Sequence, residues 1–368
     1  MLSKDYNAEL PPGDHDRQNA ARASVATGKV RRYALVSLIL LAATLAEFLT
    51  GSTPLPSIVI YPPGFVFNVG LYGGGALLIR EAAIRWRKRW GAVLLLGGAY
   101  AVGEEGFAAK TMINPNSPII GNQAYSHWIE VNWVPLASLT VFHSAFSIAI
   151  PLLLIELLFP ETKGRRLLGN VGLAITMVLY GLTVLVLTAW LGDPYVLTLR
   201  VAVFLAAYAS AFILAAYKVP RTFLRAKGDR PDRREFDFFL LGLGFMVSFF
   251  IISAGLTPVG GLTHNLLPWP VTDALFFPLT GLTAWYLVRY AGRSGNDLVK
   301  IAFVLGMMAF FVPIDVMLEL GGDFGVLIFT AAIIGLLVFL RQRIKQPAEA
   351  NTFTPHCNRC FTKIALKT

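Results

Sequence analysis

The chain has 368 residues, 55% of them apolar and only 15% charged, with a mean hydropathy of +0.60. Soluble domains carry about 25% charge, so this composition excludes an ordinary soluble fold and points to an all-α bundle of membrane helices. The formal net charge of +10 does not signal nucleic acid, because the basic residues gather in short segments between apolar runs.

Residues 1–32 are polar, with PPGDHD at 11–16, and read as a cytoplasmic arm. Since they precede the first apolar run, that run reads as a retained anchor and not as a cleaved signal peptide. Ten apolar runs follow, near 33–50, 58–82, 91–110, 133–158, 167–191, 196–217, 237–256, 270–289, 299–320 and 323–341. At about 20 residues, such runs are long enough to cross a hydrocarbon core of roughly 30 Å.

Alternate connections are basic: KVRRY at 29–33, RWRKR at 85–89, KGRR at 163–166, the long stretch 218–234, RYAGR at 289–293 and RQRIK at 341–345. Of 32 Lys and Arg residues, only Lys110 and Arg200 fall at the opposite face. The positive-inside rule then places both termini in the cytoplasm and supports an even number of spans in a cell membrane. The expected organisation is a membrane bundle of six spans over 33–217, a basic linker over 218–236, four spans over 237–341 and a cytoplasmic tail over 342–368. The expected partners are the lipid bilayer and, at the basic loops, anionic lipid.

Gly70 and Gly74 in the second span, and Gly97 and Gly98 in the third, suit close helix packing. Arg80 and Glu81 end the second span and Glu156 the fourth, where they read as boundary residues reaching toward the membrane surface. Tyr125, Trp128 and Trp133, with Trp190, Tyr195 and Trp269, read as an interfacial aromatic belt on the far side. The longest far-side loop, 111–132, is rich in Pro, Asn and Gly, and loops of that length often serve as lids or gates.

The third span carries GEEGFAAK at 103–110, two adjacent glutamates in an apolar setting. Charged groups at the bilayer centre are costly, by at least about 2.5 kcal/mol each, and mark functional sites. At a rise of about 1.5 Å per residue, Glu104 lies roughly 20 Å up from Trp90, and His143 about 15 Å down from Trp133, so the two can meet. Glu105 shares its helix face with Gly98, Ala101, Ala108 and Ala109 and is the expected inward carboxylate, with Glu104 as a second ligand or orienting group. Asp315 and Glu319 share one face of the ninth span just after Pro313, and Glu47 and Asp273 sit near span ends.

Carboxylates with one imidazole suit a divalent metal ion or proton coupling, and Glu104, Glu105 and His143 are the candidate metal or catalytic set. Glu105, His143, Asp315 and Glu319 are the candidate ion or substrate pathway. No H-E-x-x-H pattern or phosphate-binding loop is present. GRSG at 292–295 lies in a charged loop, and His356, Cys357 and Cys360 are too few for a closed zinc site.

The pair EE at 104–105 followed by LTVFH at 139–143 resembles the CAAX-protease and bacteriocin-processing family of intramembrane proteases. Ala109 stands where that family has arginine, with Lys110 one place on. The resemblance implies that Glu104, Glu105 and His143 activate water for peptide hydrolysis. The residues alone point first to a transporter-like or permease-like protein for a proton-coupled or cationic solute. A glutamate-dependent protease and a non-catalytic scaffold are the alternatives.

Overall fold

The computed structural model describes residues 14–53, 55–191, 193–225, 233–253, 266–291 and 297–350. Helix α1 runs Asp14–Ala43 and passes into a π-helical turn, Thr44–Phe48. It begins inside the segment read as a polar arm. The run NAARASVATGKVRR contains no proline, and acidic residues at the start favour a helix N-terminus.

After a short helix α2 (Leu55–Ile60), α3 (Pro62–Asn68), a π-turn (Val69–Gly73) and α4 (Gly74–Arg85) form one continuous rod. Helix α5 (Trp90–Ala101) again ends in a π-turn, Val102–Ala108. Helix α6 (Trp133–His143), a π-turn (Ser144–Ala149) and α7 (Ile150–Leu158) make the next rod. Helix α8 (Asn170–Val186) with a π-turn Leu187–Leu191, then α9 (Leu199–Lys218), complete the first group. The second group is α10 (Glu235–Ser253), α11 (Trp269–Tyr290), α12 (Asp297–Gly321) and α13 (Val326–Ala350).

Eight of these rods are long and apolar enough to cross a membrane. They correspond to the second and the fourth to tenth expected spans. The first and third expected runs are helical as well, and both lie at the centre of the first group. Helix α1 packs on α4 and α7, and α5 packs on α4, α6 and α9. The glutamates of the third run, together with its glycines, lower its apolarity, so it reads as less lipid-like than its neighbours. By contrast α8 has no buried residue and presents Ile175, Val178, Leu179 and Leu182 outward, as a lipid-facing helix does.

Glycines set the closest approaches. A Cβ on Gly74 would touch Tyr180 of α8, and one on Gly70 would meet the Thr183 side chain at 3.0 Å, so the expected packing role holds. The tightest contact joins α10 and α12: a Cβ on Gly242 would lie 2.0 Å from the Phe303 carbonyl oxygen, and one on Gly306 1.9 Å from that of Phe239. Both obstacles are backbone and cannot rotate away. Gly306→Ala is therefore expected to destabilise the protein by about 1–3 kcal/mol, the range for overpacking, visible as a lowered Tm in thermal unfolding. An unchanged Tm would show that the two helices can separate freely.

The long loop after α5 is not an open lid. Two small antiparallel hairpins form it: β1 (Asn116–Ser117) with β2 (Gly121–Asn122), and β3 (His127–Trp128) with β4 (Val131–Asn132). Ile129 and Glu130 at the second turn both have positive φ, as a two-residue type I′ turn requires. Asn132 is fully buried and donates to the carbonyls of Thr111 and Asn114, tying the loop's end to its start. Trp128, Trp133 and Trp269 stack together with ring centroids 5.7–6.3 Å apart, joining this loop to α11.

Arg80 and Glu81 are not boundary residues in water. They are 5% and 0% exposed. Glu81 Oε1 accepts from the backbone N–H groups of Leu167 (2.6 Å) and Leu168 (3.1 Å), and both Arg80 and Arg85 face its carboxylate at 3.6 and 3.4 Å. Arg80 also donates to the Thr162 carbonyl at 2.7 Å. A span-end position suggests snorkelling, but here the 159–170 segment folds back over the helix end and supplies the partners.

Candidate functional site

Five helical rods carry π-turns, and four of those turns hold or adjoin part of one polar cluster. Glu47 lies in the first, Tyr72 in the second, Glu104 and Glu105 in the third, and the fourth begins directly after His143. A π-turn inserts one extra residue, shifts the register of the side chains that follow and is frequent at functional sites. Here it resolves a geometric problem. On a straight helix adjacent glutamates diverge by about 100°, yet both reach His143.

Glu105 Oε1 lies 2.8 Å from His143 Nε2, and Glu104 Oε2 lies 3.0 Å from Nδ1. Ser147 Oγ, one turn further along, also lies 2.8 Å from Nδ1. The imidazole is thus held on both edges, and Phe142 packs edge-on against it at 5.5 Å. Glu104 and His143 are buried, while Glu105 is half-buried. The hydroxyl of Thr111, at the root of the 111–132 loop, donates to Glu105 Oε2. The loop is therefore joined directly to the site.

Close helix contact makes this possible. A Cβ on Gly97 would stand 2.6 Å from the Ser144 Cα, so α5 and the turn after His143 touch backbone to backbone. Gly98 meets Phe212 of α9, and Ala101 packs with Leu205 of the same helix. The small-residue face expected to accompany Glu105 therefore supports α9, while the widened turn redirects Glu105 to α6. Gly97→Val is expected to push α5 from α6 and lengthen both Glu–His contacts. The drop in Tm should exceed that of Gly181→Val, where nothing lies within 4 Å of an added Cβ; equal drops would refute the close-contact role.

The other expected acids lie elsewhere. Asp315 is fully buried and accepts from Thr330 of α13, and Glu319 accepts from the backbone N–H groups of Gly325 and Leu327 at the start of α13. Neither joins the Glu104–Glu105–His143 cluster. Arg200 pairs with Glu130 at 3.7 Å on an exposed surface. Lys110, one place beyond Ala109, is buried and donates to the Asp193 carbonyl. The 292–295 string and the tail residues His356, Cys357 and Cys360 lie outside the described residues.

Sequence reasoning missed Tyr72, Tyr100, Thr111 and Ser147. Ser147 follows His143 by four residues, so its place on the same face was available from helical spacing. Tyr72 and Tyr100 gave no such signal: their rings lie 6.2 Å apart, and Tyr100 lies 6.2 Å from His143, through contacts between different helices.

Chemically, the Glu105–His143 hydrogen bond needs one shared proton, carried by Nε2 or by the carboxyl, while Nδ1 bonds to Ser147 and Glu104 Oε2 lies alongside it at 3.0 Å. The three side chains also offer one ligand atom each within 4.8 Å of one another, a donor set of the kind divalent metals accept. The carboxylates approach opposite ring nitrogens, however, so an ion bound to either nitrogen would take only one of them in its present position. An apolar recess of about 240 Å³, lined by Ile129, Val131, Trp133, Arg200, Val201 and Phe204, opens beside the second hairpin.

Apolar helices enclosing a buried ionisable cluster define an all-α polytopic membrane protein. Residues 36–214, from α1 to α9 and including all three cluster residues, match a family model described as an uncharacterized membrane protein family. No curated protein and no solved structure matches the chain.

Proposed function

We propose that the protein is a membrane-embedded hydrolase in which Glu105 and His143 activate water, with peptide segments in or near the membrane as the substrate. The observation that carries this reading is the 2.8 Å contact between Glu105 Oε1 and His143 Nε2, with Glu104 and Ser147 on the opposite ring nitrogen. Glu105 is the more exposed of the two carboxylates and takes a proton from water. His143 returns a proton to the leaving amine, and Glu104 keeps the ring oriented and protonated. The resemblance to the intramembrane protease family implies the same activation of water by a glutamate and a histidine. The proposal places ten spans in a cell membrane, with both termini cytoplasmic, on the strength of the asymmetric Lys and Arg distribution.

Purified protein in liposomes, mixed with a library of apolar peptides, tests it. Cleavage is expected in the wild type, to be lost in Glu105→Gln and to persist after treatment with a metal chelator. Chelator-sensitive cleavage would instead support a metal held by Glu104, Glu105 and His143. A second reading, proton-coupled transport of a cationic solute, draws on the run of polar groups from Glu47 to Glu105 through the apolar interior. It predicts solute-dependent proton flux in the same liposomes without any new peptide terminus.

A further inference from the structure

The recess beside the second hairpin shares no residue with the Glu104–Glu105–His143 cluster, and its make-up is specific. Val131 and Val201, which line it, are buried, whereas Ile129 at the hairpin turn is exposed, so the recess has a packed floor and an open side. Trp133 and Phe204 meet edge-on beside them, with ring centroids 5.9 Å apart. At about 240 Å³ the space is smaller than the roughly 300–1,000 Å³ of sites that enclose a whole small ligand. It can take one end of a longer apolar molecule.

The level of the recess says which molecule. Trp133 begins α6, Trp269 begins α11 and Arg200 is the second residue of α9, so three helices of membrane-crossing length start around it. Trp133 and Trp269 stack at 5.7 Å. Tryptophans at the ends of such helices sit among the headgroups of a bilayer. Leu199 and Val203 on the outer flank of α9 are exposed, as a surface facing lipid is.

The rim carries one charge of each sign. Arg200 Nη1 lies 3.7 Å from Glu130 Oε1, with the two side chains 65% and 36% exposed. A pair so open to solvent contributes little to stability. Glu130 is nevertheless fixed, because Thr198 Oγ1, which caps the first turn of α9, donates to its Oε2 at 2.6 Å. Lys110, the other cation expected on this side, is buried against the Asp193 carbonyl. Arg200 is therefore the cation that this face offers to a ligand.

We propose that the recess binds a phospholipid with an ethanolamine headgroup from the adjoining leaflet. One acyl chain fills the recess, the phosphate pairs with Arg200 and the primary ammonium pairs with Glu130. Two carbons join those headgroup charges, so both fall beside a charge pair this close. A guanidinium matches phosphate oxygens, and an ammonium supplies the N–H donors that a carboxylate accepts. A glycerol headgroup brings no cation to Glu130, and the quaternary nitrogen of choline has no N–H to donate. Attachment thus follows from Arg200 and headgroup choice from Glu130. The proposal is independent of the hydrolase reading.

The full chain is reconstituted in vesicles of equal parts phosphatidylethanolamine, phosphatidylcholine and phosphatidylglycerol and then moved into detergent, where native mass spectrometry counts the lipids that stay bound. The wild type is expected to retain phosphatidylethanolamine about fivefold over either competitor, the effect of one exposed charged contact. Glu130→Gln should remove that preference while lipid is still retained, and Arg200→Gln should lower retention of all three. Ile129→Trp, which fills the recess from its exposed side, should also lower retention of all three with both charges intact. All three side chains lie at the surface, so the fold is expected to stand in each variant. Equal retention of the three lipids by the wild type would overturn the proposal, as would an undiminished ethanolamine preference in Glu130→Gln and Arg200→Gln. Displacement of the lipid by glycerophosphoethanolamine as readily as by intact phosphatidylethanolamine would also overturn it, since the acyl chain would then play no part.

Discussion

Replacing His143 with alanine is expected to reduce peptide hydrolysis by about a thousandfold, within the range that general acid–base groups supply. The imidazole touches both carboxylates, at 2.8 and 3.0 Å. Without it Glu105 loses its proton partner, and two acids face each other across the vacated space. That repulsion makes His143→Ala a poor control for folding, so Glu105→Gln is the decisive companion. A glutamine amide still accepts from Thr111 and still reaches His143 Nε2, so the helices should stay together while the base is gone. A loss of similar size with an unchanged Tm would show that the chemistry has failed and not the fold. Full activity in Glu105→Gln would remove the carboxylate from the mechanism.

Glu81→Ala is expected to destabilise the protein by about 3–5 kcal/mol, because it strands a buried arginine and two backbone donors. Arg80 keeps its bond to the Thr162 carbonyl but loses the carboxylate beside it. The N–H groups of Leu167 and Leu168 lose their acceptor. Arg85 bonds separately to the Leu168 carbonyl and Asn170, and Arg31 to the Leu167 carbonyl, so the segment would loosen without detaching. Thermal unfolding of the purified protein should show a lower Tm in Glu81→Ala, with a smaller drop in Glu81→Gln, which keeps an acceptor. Equal and small drops would mean that the loop is held by its arginines alone.

Much of the fold was legible because apolar length is a direct physical requirement for crossing a bilayer. The run 133–158 matches α6 through α7 at both ends, and 270–289 falls within a residue of α11. Ends marked by proline or by interfacial charge were less certain. Pro62 starts a new rod where the run from 58 looked continuous, and α13 runs on to Ala350 through a basic stretch that reads as a tail.

The site was legible in part for a similar reason: an ionisable group inside an apolar run has few harmless explanations. Glu104, Glu105 and His143 could be selected, and helix rise placed them at compatible depths. How they converge could not be read, since a straight helix directs adjacent glutamates apart and only the π-turn at Val102–Ala108 brings both to one imidazole. Nothing in the residue order announces that turn. Asp315 and Glu319 show the converse. Their shared face suggested a pathway, and in the fold each accepts from the neighbouring α13, a partner visible only once the two helices are packed. Arg80 and Glu81 were misplaced because span-end position was used in place of knowledge of the segment folded over them.

The most direct test of the central claim is isotopic. Reconstituted protein is incubated with an apolar peptide library in water enriched in oxygen-18, and every new carboxyl terminus is analysed by mass spectrometry. Water activation by the Glu105–His143 pair predicts products carrying one solvent oxygen at the new terminus, present in the wild type and absent in Glu105→Gln. Peptides left intact by a wild-type protein that moves protons in response to a cationic solute would contradict it.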